Sequence, residues 1–113
     1  MNIEALLVAE INAAKSDEAF MEVPATRPER FYTVERVGGR RRDVRDLPLV
    51  AVLAWAGSRW DASEMATDIA EFLRSLAATH PNVARVDIES LYNNPDPASE
   101  HPRYQVNAQF ITT

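Results

Sequence analysis

Four acids in the middle of the chain, Asp61, Glu64, Asp68 and Glu71, recur at three- and four-residue steps. That spacing sets carboxylates along one face of a helix, as a carboxylate metal site would require. No histidine falls within the helix to complete a ligand set, and Asp61 with Glu64 has the layout of a capping box, so the row reads as a solvated face. The two histidines stand apart. His80 follows the helix, where a cationic imidazole suits the dipole, and His101 lies in a loop between Glu100 and Pro102. The chain has 0 cysteines, which excludes a thiol nucleophile, a thiolate metal site and a disulfide framework. No G-x-S-x-G string accompanies the serines. Gly38-Gly39-Arg40-Arg41-Arg42 lacks the G-x-x-x-x-G-K-[ST] pattern and opens a hairpin rather than a helix, so it is no phosphate loop. No catalytic residue, metal ligand or cofactor-binding residue is assigned, and no enzyme activity is expected.

What the sequence offers instead is the chemistry of contact. The net charge of -5 is unevenly spread: residues 27–45 carry seven arginines and three acids, whereas residues 46–113 carry nine acids and four arginines. An acidic body with one basic stretch is not the footprint of a general nucleic-acid binder. Arg40, Arg41, Arg42 and Arg45 are the first set of candidate contact residues; the alternatives are a solvated hairpin tip, with Asp43 and Asp46 as partial partners, and a nucleic-acid or phosphate contact. An acidic protein surface is their expected partner, because arginine forks match carboxylates. Gln105, Asn107 and Gln109 are the second set. They alternate along one face of a strand, where uncharged amides can pair across a wet interface. Trp55 and Trp60 add two large rings near the end of an apolar strand, and an exposed one would mark a contact.

The elements that position these residues follow from periodicity. With 113 residues, 46% of them hydrophobic and 26% charged, the chain reads as one globular domain spanning residues 1–113. No apolar run approaches the ~18 residues of a membrane span, and the N-terminus, with Glu4 and Glu10 in its apolar part, does not read as a signal peptide. Ile3, Leu6, Leu7, Ile11 and Ala14 make the stripe of a helix over 3–14, capped by Asn2. Residues 16–30, with Pro24 and Pro28, read as a connection. Residues 31–37 are β-branched and aromatic and read as a strand that Gly38-Gly39 ends. Residues 40–46 then form an exposed loop, mobile in the free chain and ordered only against a partner. Leu49 to Trp55 is a continuous apolar run, hence a central strand buried on both faces, with Pro48 at its entrance. A helix follows over 62–78, its face made by Met65, Ile69, Phe72, Leu73 and Leu76. Strands over 83–92 and 103–111 complete the body, which spans 31–112. Ala84, Val86, Ile88 and Tyr92 are expected inward on the first of these, and Tyr104, Val106, Ala108 and Phe110 on the second. The expected fold is α+β in the order αββαββ, a four-stranded mixed, mostly antiparallel sheet with both helices on one face.

Several strings resemble the tail terminator proteins of long-tailed phages with noncontractile tails. They are Val34-Glu35-Arg36-Val37-Gly38-Gly39, Asp46-Leu47-Pro48-Leu49-Val50, Trp55-Ala56-Gly57-Ser58-Arg59, the helix with Glu64, Ala66 and Ala70, and Arg103-Tyr104-Gln105-Val106. Together they cover roughly residues 30–112. The resemblance implies a structural virion protein at the head-proximal end of the tail, assembled in the host cytoplasm. It implies a homo-hexameric ring that binds the last ring of the major tail tube protein, stops tube growth and presents a surface to the head–tail connector or stopper protein. Genomic DNA would pass through the lumen without sequence-specific binding, and no membrane is involved. The other readings are a head-side stopper or connector protein, and a small ligand-binding or hydrolase-like α+β module with a deep pocket.

Overall fold

A computed structural model describes residues 1–42 and 44–113, with Arg42 described by its backbone alone. The order is α1 (Ile3–Ala14), β1 (Glu18–Phe20), β2 (Phe31–Arg42), β3 (Arg45–Trp55), α2 (Arg59–Thr79), β4 (Val83–Asn93) and β5 (Arg103–Thr112). The fold is α+β, with one mixed sheet of order β1-β2-β3-β5-β4. The expected four strands are therefore five. β1 runs parallel to β2 over Glu18–Phe20, inside the stretch read as a plain connection. Three residues are too few to show a period. Their pairing with β2 makes them a strand, and α1 supports it: Asn12 Oδ1 accepts from Ala19 N at 2.7 Å and Asn12 Nδ2 donates to Ala19 O at 3.2 Å, so one side chain serves both polar groups of Ala19.

Both helices pack on one face. Ile3, Leu7 and Ile11 of α1 and Met65, Ile69, Leu73 and Leu76 of α2 are buried against Tyr32, Val34, Val50, Val52, Ala54, Val106, Ala108 and Phe110 of the sheet. Leu6 and Phe72 are only partly buried, and Ala14 is exposed. Asn2 caps α1 by accepting from Ala5 N at 3.2 Å. α2 begins three residues before the expected Ala62. Its cap is Ser58, whose Oγ accepts from Asp61 N at 3.1 Å, so Asp61 is the first-turn acid rather than the cap. Tyr32 reaches through the core to donate to Met65 O at 3.5 Å, and burial pushes its phenol well above the usual range.

β3 is the central strand, with Val50, Ala51, Val52, Ala54 and Trp55 buried. It starts at Arg45, so Pro48 is interior to the strand rather than at its entrance. The ladder to β5 accommodates this by skipping two residues: Asp46 pairs with Thr112, and the next pair is Leu49 with Gln109. Gln109 Nε2 fills the gap, donating to Leu47 O at 2.9 Å and Pro48 O at 3.1 Å. β4 departs from simple alternation. Register shifts fall between Val83 and Arg85 and between Ile88 and Ser90, so Ala84 and Tyr92 are exposed where alternation from Val86 places them inward. A bulge adds one residue to one strand and moves every later side chain to the other face.

Replacing Ser58 by Ala should cost about 0.5–2 kcal/mol of stability, the range for removing an N-cap oxygen. Replacing the exposed Glu64 by Ala should change it by less than about 0.5 kcal/mol. Urea unfolding followed by circular dichroism separates the two. Equal losses would return the cap to Asp61-Glu64.

Candidate functional site

Gly38-Gly39 does not end β2. The strand shifts register between Arg36 and Gly38 and runs on to Arg42, paired with β3 down to Arg42 opposite Arg45. The stretch expected as a loop over 40–46 is thus mostly β-hairpin, and Asp43 lies outside the described residues. Three contacts hold this extension. Gly39 has φ +89°, and a Cβ there would lie 2.8 Å from Leu49 N and from Pro48 Cα, so the position admits glycine alone. Arg36 binds Asp46 with both terminal nitrogens, at 2.7 and 3.0 Å, while its Nε donates to Gly38 O at 2.9 Å. Glu4 of α1 accepts from Arg36 N at 2.9 Å. The Asp46 carboxyl is buried and sits below the usual carboxylate range, chiefly through its hydrogen bond from Arg36.

Arg40, Arg41 and Arg45 project from the hairpin and are exposed, beside Val44 at 84% exposure. Arg42 contributes its backbone to β2. The second expected set lies on the face of the sheet that carries no helix. Gln105, Asn107 and Gln109 are all half-buried there. Their amides are engaged within the domain: Asn94 Nδ2 donates to Gln105 Oε1 at 2.7 Å, Gln105 Nε2 to Asn107 Oδ1 at 2.9 Å, and Asn107 Nδ2 to Ser90 Oγ at 3.0 Å. This chain of bonds ties β5 to β4 along the open face. It leaves fewer free amide groups for a partner than the sequence alone suggests. Among the described residues the two sets meet at Gln109, which shares a shallow concavity with Gly39, Arg40 and Leu47.

The tryptophans divide. Trp55 is buried and belongs to a row of rings across the open face: Phe20 lies edge-on to Phe31 at 6.0 Å, and Phe31 stacks on Trp55 at 5.2 Å with 13° between planes. Trp55 Nε1 donates to Thr33 Oγ1 at 3.0 Å. His101, which carried no role in the sequence, meets Phe31 and Trp55 edge-on. Trp60, in the first turn of α2, is 71% exposed. The helix acids are a solvated face in large part: Asp68 pairs with Lys15 at 2.8 Å and Glu71 with Arg74 at 3.0 Å. His80 caps α2 through its backbone N–H to Leu76 O at 2.9 Å, and its Nδ1 accepts from Asn82 N at 3.1 Å. Among the described residues no group of three or more histidines, cysteines or acids is placed to hold a metal ion, and no helix is long and apolar enough to cross a membrane.

No protein-family model matches the sequence, and no curated protein matches it.

The Asp46–Arg36 lock gives a signed pH dependence. A carboxyl whose folded pKa is depressed contributes stability that is present above its unfolded value, near 3.8, and is lost as pH falls through the folded value. Asp46→Asn should therefore lower stability at pH 7 by about 1.5–3 kcal/mol, the range for hydrogen bonds to charged groups. The deficit should shrink as the wild type is acidified below that pH. A deficit unchanged between pH 7 and the acid limb would show that the charge is not what matters at this position. Gly39→Ala should destabilise the domain at every pH.

Proposed function

We propose that the chain is a structural virion protein of the tail terminator type. In this reading it forms a homo-hexameric ring on the tail tube, ends tube growth and presents its other side to the head connector. The observation that carries the reading beyond the sequence resemblance is the placement of its exposed contact groups. Val44, Arg40, Arg41 and Arg45 lie at the start of β3, and Trp60 lies just past its end. β3 has 11 residues, so these groups are separated by roughly 35 Å at about 3.3 Å per residue. Two unlike patches at opposite ends of one domain suit a heterologous, head-to-tail contact, the kind that closes into rings. An indole left 71% exposed gains nothing within its own domain. Tryptophan and arginine are the residue types that most often anchor interfaces.

The acidic body supports a lumen that DNA traverses without being held, since like charges repel along the path. It also supports the arginine hairpin as a protein contact, because a neighbouring copy supplies carboxylates. Arg40 and Arg41 stand on the edge strand β2, past the point where β1 stops pairing at Thr33. Charged residues on such an edge keep it from uncontrolled pairing while leaving it open to a specific partner.

Tail assembly with and without the chain, viewed by electron microscopy, tests the reading. Tubes of uncontrolled length in its absence are expected. Tubes of normal length with heads missing would overturn the terminator role and favour a head-side stopper. The triple variant Arg40→Ala, Arg41→Ala, Arg45→Ala should keep the melting temperature of the parent and fail to cap tubes. Normal capping by that variant would remove the hairpin from the interface.

A further inference from the structure

We propose that the hollow over Trp55 is a binding site for a monoanionic carboxylate carried on an apolar body. The hollow encloses about 640 Å³ on the open face of the sheet, between the segments 21–30 and 94–102. Met21, Val23, Leu53 and Trp55 line it with apolar surface, and Arg27 and Arg103 line it with positive charge.

The arginines carry the argument. They are far apart in the chain, and the sheet register brings them together: Arg103 on β5 pairs directly with Trp55 on β3. Its guanidinium carbon lies 4.8 Å from the centre of the Trp55 ring, and that of Arg27 lies 5.3 Å from the same centre. Two cations held on one ring repel each other. Among the described residues neither has a carboxylate within 4.0 Å, although five pairs of a lysine or arginine with a carboxylate form elsewhere in this acidic domain. Arg27 makes one long hydrogen bond, 3.5 Å to Ser99 Oγ, and Arg103 uses Nε on Asn94 O at 2.8 Å. The nearby Asp96 is turned to its own loop, accepting from Ser99 Oγ and Ala98 N. A bound anion relieves the repulsion and takes the unused guanidinium donors in their natural paired geometry.

The same lining selects among anions. Glu22, Glu35 and Asp96 border the hollow. With two arginines and three acids the lining has no net positive charge, so the anion is held by direct paired hydrogen bonds from Arg27 and Arg103 rather than by the field of the hollow. The apolar lining rewards an attached hydrocarbon and gives nothing to a free inorganic ion. The carboxylate of a small organic acid and that at the end of a polypeptide share this chemistry.

Titration of the full-length chain by amide NMR tests the site, with the indole N–H of Trp55 as reporter and that of the exposed Trp60 as internal control. Hexanoate should shift Trp55 saturably and leave Trp60 in place, whereas inorganic phosphate and hexylammonium should not saturate. Arg27 is exposed, so Arg27→Gln should preserve the rest of the spectrum and weaken hexanoate binding by about tenfold, the effect of losing one charge-assisted pair. An acetylated apolar peptide with a free C-terminus and its C-terminal amide then distinguish the sources. Tighter binding of the free-carboxylate peptide than of hexanoate assigns the site to polypeptide ends, and weaker binding assigns it to small acids. The proposal is overturned if hexanoate gives no saturable shift, if phosphate binds as well, or if Arg27→Gln binds hexanoate as the parent does. None of these outcomes depends on whether the chain caps a tube.

Discussion

A sheet covered by helices on one face only must stabilise its other face in water without a second layer, and this constraint organises the molecule. α1 and α2 supply a dry core for one side. The opposite side is built from a row of rings at one end, Phe20, Phe31 and Trp55, and a hydrogen-bonded row of amides along β5. Rings exclude water by area, at about 25 cal/mol per Å². Amides fix the face differently, because each bond within the row spares a donor and an acceptor the need for outside partners. The open face is therefore finished rather than waiting for a missing layer. Among the described residues it is concave at the hollow beside Trp55 and at the shallow dip by Gly39 and Arg40.

The hairpin is the second consequence. A strand extended past the body has nothing to pack against, so its geometry must come from local contacts. Gly39 supplies a backbone conformation that side chains resist, and the register shift before it turns the strand. Arg36 then binds Asp46 across the two strands and Gly38 O within its own. Glu4 holds Arg36 N from the helix side, so the hairpin base is fixed to α1 as well as to the sheet. Ordering arginines that are already mounted on paired strands costs less on binding than ordering a free loop.

The parts of the fold that were legible in the sequence are those with a long period. The stripes of α1 and α2 and the apolar run of β3 each repeat often enough to fix an element and its inward face. The expected bounds of α1 coincide with the observed Ile3–Ala14. What escaped was set by single side chains acting at a distance. β1 is a three-residue strand paired with β2 and supported by Asn12, and the interior Pro48 sits in a gap of the β3–β5 ladder that Gln109 fills. Gln109 is 61 residues from Pro48, and Asn12, seven residues before Ala19, carries no strand signature. The glycines misled for the opposite reason. A Gly-Gly pair is a sound turn signal, but here one glycine serves a close approach of β2 to β3 rather than a chain reversal. Of the candidate contact residues, the exposed arginines lie where sequence placed them at the surface. The amides are on the expected face but largely committed to one another.

The two arginines at Trp55 could not have been read as a site from the sequence, since Arg27 belongs to a proline-bearing connection and Arg103 only opens a strand. Their convergence follows from registry. Pairing β3 with β5 puts Arg103 beside Trp55, and pairing β2 with β3 puts Phe31 on the indole's other side. The ring thus carries an apolar stack from Phe31 and two guanidinium groups within 5.3 Å of its centre. The same register that finishes the open face concentrates its unpaired positive charge at one end, while the hairpin presents exposed arginines at the other. At the Trp55 end three carboxylates, Glu22, Glu35 and Asp96, border the same hollow, so what distinguishes Arg27 and Arg103 there is their free hydrogen-bond donors rather than a net positive field, whereas the hairpin arginines stand exposed on their strands.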